Sequence, residues 1–211
     1  SFFGNGNAKY KKDDFDGYAD TVFLGCFWTK DLREIGGFNT ANITSQDLEL
    51  NLRLKEKYGE CVYVSSNIKC FYFPRKSFRS LFKQYFKHAR GRLVTILLHK
   101  NRDEFRGFFP FIFLLSLFGY FFIDLLSVKQ LFSPYIFIFL LGILMVETLR
   151  VAIFEKDYFN KKIWADDHTD PPGIISNFIF LLFTIIIMHL GHFFGFLYQL
   201  VRNTIFRVKG W

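Results

Sequence analysis

Polar and apolar residues divide this chain into two parts of different character. Up to about residue 106, short apolar runs alternate with charged segments, whereas three long apolar stretches follow near residues 108–128, 134–154 and 174–201. A transmembrane helix needs about 20 predominantly apolar residues, so each stretch is long enough to cross a bilayer. The third exceeds one span, and we expect its second half to bend or to lie at the membrane surface. The pattern therefore predicts a polar domain followed by about three transmembrane or interfacial helices, in a region covering residues 107–211.

The polar part begins with a mixture of short elements. Apolar residues at 21–28, 62–64 and 68–73 each predict a strand. A short helix over residues 30–35 would end at the two glycines that follow it. Strands mixed with helices indicate an α/β domain over residues 1–76.

A longer helix is predicted after this short one. Thr44 or Ser45 can cap a helix that begins near Gln46, because hydroxyl side chains satisfy free amide groups at helix starts. Gly59 is expected to end it.

Residues 77–106 form a third unit in the pattern. Over residues 77–98, aromatic and aliphatic positions recur beside Lys and Arg, which predicts a long basic amphipathic helix. Such a helix can lie at the lipid interface. Pro74 separates it from the polar domain.

The distribution of charge predicts how the chain is oriented in a membrane. The formal net charge is +8, and the cations concentrate at 69–106, directly before the first apolar stretch. Lys and Arg near the end of a span stay on the cytoplasmic side, so we expect a multi-pass protein of the cell membrane with a cytoplasmic catalytic part. The side of the last residues stays open. No nucleic-acid-binding motif is visible, and we expect no nucleic-acid partner.

Asp47 is the candidate for a catalytic base. A positioned carboxylate can remove the proton of an acceptor hydroxyl as it attacks, and a helix start favours the ionised form. The alternative is an acidic residue that only stabilises the start of the helix. Glu49, two residues on, could bind an acceptor hydroxyl or face water.

The basic helix offers a candidate phosphate site. Gln84 and Lys87 are three residues apart, and Gln84 and His88 four, so they share a helix face. An amide and several cations on such a face can hold a diphosphate, for which Arg is well suited. Binding of anionic lipid is the alternative. The candidate substrate-binding residues here are Gln84, Tyr85, Lys87, Arg90 and Arg92.

One short motif could suggest a metal. Asp14-Phe15-Asp16 has the spacing of a DxD motif, but it lies in a Lys- and Asp-rich run, and we interpret it as a solvated loop.

Several stretches in the first hundred residues, and one near the end of the chain, resemble membrane-bound family 2 glycosyltransferases, in particular the succinoglycan-type exopolysaccharide enzymes. They occur in the order seen in that family. Each match alone is weak, but together they are specific. The matching stretches are GNGNAKY at 4–10, DTVFLGCF at 20–27, IGGF at 35–38, QDLELNLR at 46–53, YFPR at 72–75, QY at 84–85 with GR at 91–92, and HLGHFFGF at 189–196.

This resemblance implies the acceptor-side half of a GT-A fold and an inverting transfer from a nucleotide-sugar. It implies that Asp47 is the general base, that Gly25, Cys26 and Phe38 line the acceptor site, and that Gln84 with the following cations lies near the donor diphosphate. Membrane attachment suits a lipid-linked or other saccharide acceptor in exopolysaccharide or cell-surface glycan synthesis.

The chain also departs from the family pattern. Gln46-Asp47 stands where Glu-Asp is usual, and Lys87-His88 stands where related synthases have Arg-Trp. No stretch of this chain resembles the nucleotide-binding half of these enzymes. We therefore expect a C-terminal fragment, inactive alone, with the ligands of a divalent cation (Mg or Mn) in the missing N-terminal half.

Two other functions remain in competition with a single sugar transfer. One is a processive polysaccharide synthase, for which three spans are few unless partners complete a channel. The other is a non-catalytic membrane scaffold or lipid-binding protein, which would need neither Asp47 nor an acceptor site.

Overall fold

Most of the described chain is helical. The computed structural model describes residues 8–12, 14–19, 21–22, 24–40, 42–70, 73–99, 108–126, 133–156, 172–208 and 210–211. Its elements in chain order are a short 3-10 turn (Lys9–Lys11), β1 (Gly17–Tyr18), α1 (Thr29–Glu34), α2 (Gln46–Tyr58), β2 (Tyr63–Val64), α3 (Phe78–His99), α4 (Phe109–Leu126), α5 (Ser133–Phe154) and α6 (Ile174–Thr204).

The sheet of the described residues is small. β1 and β2 pair antiparallel, with Gly17 opposite Val64, which confirms the strand predicted at 62–64. The strands predicted at 21–28 and 68–73 are wrong for their described residues, which form no ladder. Leu24, Trp28 and Ile68 are largely exposed. An apolar run becomes a strand when a neighbour accepts and donates its backbone hydrogen bonds, and here no described strand pairs with either segment.

The helices of the polar part follow the sequence prediction. α1 and α2 lie where they were expected, and the amide of Gly59 donates to the carbonyl of Lys55 as α2 ends. Ser45 occupies the cap position of α2 in a left-handed conformation, but its side chain makes no cap hydrogen bond. The predicted position of the helix is therefore confirmed, whereas its predicted capping by a hydroxyl is wrong.

Among the described residues, three helices are long and apolar enough to cross a membrane: Phe109–Leu126, Pro134–Phe154 within α5, and Ile174–Thr204. α6 is continuous over 31 residues, or about 46 Å at 1.5 Å per residue. The hydrocarbon core of a bilayer is about 30 Å thick, so α6 is longer than one crossing requires.

α3 lies along α6 and the two run in the same direction. Phe78 contacts Phe180 and Phe183 near the start of α3, and Phe86 contacts Tyr198 further along. α4 completes a shared core, in which the Phe111 ring lies 5.0 Å from the Phe196 ring. The buried members of this core are Ala89, Leu93, Ile96, Phe111, Phe193 and Phe196.

This arrangement makes α3 the link between the apolar helices and the polar domain. One side of α3 packs against α6, where Gly191 and Gly195 bring the two backbones together at Phe82 and Phe86. Small residues permit such close helix contacts. Another side of α3 meets the segment that leads into α2.

Candidate active site

Asp47 lies in the first turn of α2 with its side chain exposed. The turn is set by Ser45, whose carbonyl accepts from the amide of Glu49 at 3.1 Å. The free amide groups and dipole of a helix start favour a negative charge there. Asp47 is thus an accessible carboxylate held on a fixed backbone, as a general base requires.

The segment before α2 is fixed to α3 by two hydrogen bonds. The Thr44 hydroxyl donates to the carbonyl of Lys87 at 2.8 Å, which explains why it does not cap α2. Two residues earlier, the side-chain amide of the buried Asn42 donates to the Thr95 hydroxyl at 2.9 Å. The start of α2, and Asp47 with it, therefore has a defined position beside α3.

Asp47 lies within electrostatic range of His88, which belongs to a group of polar side chains on and beside α3. His88 lies within electrostatic range of Asp47, Arg92 and Arg75, and Arg75 Nε donates to Gln84 Oε1 at 3.2 Å. Gln84, His88 and Arg92 are spaced by four residues, so they share one face of the helix. We refer to Asp47, Arg75, Gln84, His88 and Arg92 as the polar cluster.

The charge state of His88 follows from this environment. Partial desolvation lowers the pKa of His88 below its usual value of 6.5, although the residue keeps an exposed surface. Asp47 acts to raise that pKa, whereas Arg92 and Arg75 add to the lowering. The neutral imidazole is therefore favoured at neutral pH, which leaves the arginines as the permanent positive charges of the polar cluster.

Two members of the polar cluster were not among the residues assigned to the site from the sequence. His88 could have been found from its spacing to Gln84 and Arg92. Arg75 precedes α3, and no periodicity connects it with the helix. Its hydrogen bond to Gln84 is visible only in three dimensions.

Arg90 lies away from the polar cluster. Its guanidinium carbon is 3.9 Å from the centre of the Trp211 ring and 4.8 Å from that of Tyr198, and its Nε donates to Gln199 Oε1 at 2.9 Å. Burial lowers the pKa of Arg90, and Tyr198 acts in the opposite direction. This position differs from the predicted one beside a substrate, because the helix turns the side chain toward α6 and the C-terminal residues.

Glu49 is also placed differently from the prediction. It is 1% exposed, and both carboxylate oxygens accept hydrogen bonds from Arg53, at 2.9 and 2.8 Å. Burial acts to raise the pKa of Glu49, but hydrogen bonds from Arg53 and His99 outweigh it and lower that pKa. The carboxylate faces the protein interior, where it cannot reach an acceptor or bulk water.

Lys87 and Tyr85, the remaining α3 residues predicted to bind substrate, also have different surroundings. Lys87 is exposed and its carbonyl accepts from Thr44, so it stays at the edge of the polar cluster. Tyr85 packs beside Gly191 of α6.

An open depression of about 530 Å³ lies beside the residues assigned to an acceptor. Gly25, Cys26 and Phe38 are exposed at either end of the segment that forms it. An aromatic and an aliphatic side chain, a hydroxyl, a cation and bare backbone make a mixed surface of the kind that holds small polar ligands. The lining residues are Phe27, Thr29, Leu32, Arg33, Gly36 and Gly37.

The described residues do not fit a divalent cation. They contain no group of three or more His, Cys, Asp or Glu side chains that could hold one. In the Asp14-Phe15-Asp16 motif, Asp16 accepts from the Ser66 hydroxyl at 2.5 Å and from its amide at 3.1 Å. Both bonds lower the pKa of Asp16, and the bond from the Ser66 hydroxyl has the larger effect. They also join the residue before β1 to the segment after β2.

Comparison with known proteins gives a family match. Residues 25–149 match the model of glycosyl transferase family group 2. This range contains the depression, α2 with Asp47, and all of α3. No solved structure matches the chain at a significant level.

Two curated relatives match over different lengths. The succinoglycan biosynthesis protein ExoA of Rhizobium meliloti (strain 1021) is 27% identical over 110 residues, which are 52% of this chain and 33% of the relative. A dolichyl N-acetyl-alpha-D-glucosaminyl phosphate 3-beta-D-2,3-diacetamido-2,3-dideoxy-beta-D-glucuronosyltransferase of Methanococcus voltae is 32% identical over 151 residues, which are 71% of this chain and 42% of the relative. The chain thus spans a third to two fifths of the length of these relatives.

Proposed function

This chain belongs to glycosyl transferase family group 2, and from that premise we propose that it carries the acceptor side of a GT-A catalytic domain at a membrane. The complete protein transfers a sugar, with inversion, from a nucleotide-sugar donor to a lipid-linked saccharide acceptor. The observation that carries this proposal is the position of Asp47, an exposed carboxylate at a helix start in electrostatic range of His88, which also senses Arg92 and Arg75.

In the proposed reaction Asp47 takes the proton of an acceptor hydroxyl. The resulting oxygen attacks the anomeric carbon of the donor from the face opposite the nucleoside diphosphate, a new glycosidic bond forms, and the bond to the diphosphate breaks. A positioned base of this kind contributes about 10²- to 10⁴-fold to a rate.

The leaving group gains negative charge as its bond breaks. Arg75 and Arg92 lie near Asp47 through their common neighbour His88, and Gln84 is held by Arg75. Fixed cations and donors aimed at a developing charge stabilise a transition state. We therefore assign Asp47 to deprotonation of the acceptor, and the arginines of the polar cluster to stabilisation of the departing diphosphate.

The proposal includes a divalent cation, whose ligands lie outside the described residues. Family members of this type use one with the donor diphosphate, whereas the carboxylates described here do not form a site for it. We place its ligands in a preceding nucleotide-binding half of the protein, and none of the steps above depends on its geometry.

The apolar helices support a membrane location. Since three of them are long enough to cross a bilayer, and since cations precede the first, we propose that the polar cluster faces the cytoplasm. An acceptor with a lipid anchor would then diffuse in the same layer as the enzyme.

The test is the Asp47→Asn variant of the protein expressed from its complete gene. Membranes are supplied with UDP-glucose, UDP-galactose or UDP-N-acetylglucosamine, and with polyprenyl diphosphate carrying one N-acetylglucosamine, and labelled product is measured. We expect about a 10³-fold loss of transfer with unchanged insertion into the membrane. Glu60→Gln, an exposed acid at the far end of α2, is the control and should transfer normally.

Unchanged transfer by Asp47→Asn would remove this residue from the mechanism. An absence of transfer by the wild type, combined with binding to vesicles of anionic lipid, would favour the lipid-binding scaffold. A product that carries many sugars would instead favour the processive synthase.

A further inference from the structure

A partly buried ion pair joins Arg53 and Glu49 of α2. Arg53 and Glu49 are four residues apart, and their side chains meet in a two-pronged contact: Nε to Oε1 at 2.9 Å and Nη2 to Oε2 at 2.8 Å. The Glu49 side chain is 2% exposed and that of Arg53 is 22% exposed. Such paired geometry fixes the plane of a guanidinium group.

The same guanidinium reaches back to the segment that follows α1. Arg53 Nη1 donates to the carbonyl of Ile35 at 2.6 Å, and Nη2 donates to the carbonyl of Gly37 at 2.7 Å. Arg53 therefore uses four hydrogen bonds, two to a carboxylate and two to backbone. A Lys ammonium on a flexible chain cannot reproduce this fork.

The backbone that Arg53 holds is a glycine turn at the end of α1. Gly36 and Gly37 have φ values of +82° and +70°, a region that Gly enters freely. Two local bonds close this turn: the Gly37 amide donates to the carbonyl of Leu32 at 2.8 Å, and the Gly36 amide donates to that of Arg33 at 3.1 Å. Arg53 adds two bonds from α2, a clamp that fixes the position of the turn relative to that helix.

The clamp is anchored to α3 as well. The His99 Nε2 lies 3.0 Å from Glu49 Oε1, and the His99 side chain is 13% exposed. Glu49 thus connects the end of α3 with Arg53, and Arg53 connects α2 with the turn. The turn, α2 and the end of α3 are therefore joined through the Arg53 guanidinium and the Glu49 carboxylate.

We propose that Arg53, oriented by Glu49, is a positioning residue for the acceptor saccharide. Gly36 and Gly37 form one wall of the depression, and Arg53 fixes that wall relative to α2, the helix that begins with Asp47. The aromatic, aliphatic, hydroxyl and cationic lining suits a sugar ring with its hydroxyl groups. This inference rests on the proposed function, because it assigns the depression to the acceptor of that reaction.

The principal variant is Arg53→Lys in the protein expressed from its complete gene. We expect the acceptor KM to rise about tenfold, because small displacements of a binding wall weaken orientation, whereas the donor KM stays within about twofold. Hydrogen exchange of the Gly36 and Gly37 amides, followed by mass spectrometry, should become faster in the same variant. Glu49→Gln should shift both readouts in the same direction.

Lys57→Gln is the matched control. Lys57 is also a cation of α2 that reaches back to α1, but it contacts the exposed Glu34 carboxylate at 2.5 Å and does not touch the wall of the depression. We expect unchanged acceptor KM and unchanged exchange at Gly36 and Gly37. A general loosening between α1 and α2 would affect both variants equally and would overturn the proposal.

A direct binding measurement separates this inference from the proposed chemistry. Polyprenyl diphosphate carrying one N-acetylglucosamine, added without donor, should slow exchange at Gly36 and Gly37 in the wild type and in Asp47→Asn, and about tenfold more probe should be needed in Arg53→Lys. Equal protection in Arg53→Lys, or no protection in any of them, overturns the inference. A normal transfer rate in Asp47→Asn with protection intact would instead overturn the role of Asp47 alone.

Discussion

Thr44 and Gly91 approach so closely that no side chain fits between them. A Cβ atom added at Gly91 would collide with the Thr44 carbonyl oxygen and hydroxyl. The Thr44 hydroxyl also donates to the carbonyl of Lys87, one turn earlier in α3. This contact brings the start of α2 against α3 and thereby places Asp47 near the other members of the polar cluster.

Gly91→Ala should therefore separate the two helices. Since Thr44 presents backbone to Gly91, the clash cannot be relieved by a side-chain rotation, and overpacking of this kind costs about 1–3 kcal/mol. We expect a lower midpoint of thermal unfolding in detergent and a loss of sugar transfer, because Asp47 moves away from α3.

Gly119→Ala is the control for that substitution. Gly119 lies within α4, and an added Cβ would meet nothing within 4 Å. Ala is the better helix former, so this variant should be as stable as the wild type or more stable. Equal stability of Gly91→Ala and Gly119→Ala would contradict the tight contact.

The C-terminal residues should be released by Arg90→Gln. The Arg90 guanidinium stacks on Trp211 at 3.9 Å, and Gln199, which accepts from Arg90, donates to the carbonyl of Gly210 at 2.7 Å. A cation–π contact contributes about 0.5–2 kcal/mol. We expect faster tryptic cleavage after Arg207 in the variant, measured by mass spectrometry of membranes under limiting protease.

Arg79→Gln provides the comparison for that experiment. Arg79 is an exposed cation near the start of the same helix, so its loss changes the charge of α3 equally without contact to the C-terminal residues. Cleavage after Arg207 should stay at the wild-type rate. If Arg90→Gln also leaves cleavage unchanged, the stacking does not hold the C-terminal residues.

The stability of the polar domain should fall on acidification through Glu49. Its pKa is lowered from the usual 4.5 in the folded protein, with burial opposing and the bonds from Arg53 and His99 prevailing. A group with a depressed folded pKa stabilises the fold above its unfolded pKa and loses that contribution as pH falls through the folded value. The contribution is thus complete at neutral pH, begins to fall below about pH 4.5, and is lost once the pH lies below the depressed folded pKa.

Glu49→Gln tests this dependence. Loss of one partner of a partly buried, hydrogen-bonded pair costs about 1–3 kcal/mol, so the variant should unfold at a lower temperature than the wild type at pH 7, and the two should converge as pH falls below 4.5. Glu34→Gln is the matched exposed acid, since Glu34 pairs with Lys57 at the surface. It should show a much smaller difference at pH 7, because water screens the pair. A constant gap between Glu49→Gln and wild type across this pH range would exclude the linkage.

The elements whose signals are local could be predicted from the sequence. α2 begins at Gln46 and ends before Gly59 as predicted, because the signals of a helix end act within a few residues, although no hydroxyl caps its start. The three apolar stretches likewise became three long helices. The runs at 21–28 and 68–73 misled, because strand formation depends on a partner elsewhere in the chain and not on the run itself.

The residues of the candidate site show the same difference between local signals and tertiary partners. Asp47 and Gln84 lie in the neighbourhood expected from helix starts and helix spacing. Arg90 and Glu49 have the residue types of a substrate site, but their partners are fixed by tertiary packing: Gln199 is 109 residues from Arg90, and His99 is 50 residues from Glu49. Spacing alone cannot reveal which face of a helix another helix will cover.

Arg92 and Arg90 should consequently behave as different residues, although they stand two positions apart. Arg92 acts electrostatically on His88 and shares its face of α3, whereas Arg90 faces Tyr198 and Trp211. We expect Arg92→Gln to reduce transfer about 10²-fold, since removal of a group that stabilises developing charge has effects of that order. Tryptic cleavage after Arg207 should stay unchanged. Lys83→Gln, an exposed cation of the same helix, should transfer at the wild-type rate. Equal losses in Arg92→Gln and Lys83→Gln would mean that the net charge of α3, and not the polar cluster, serves the reaction.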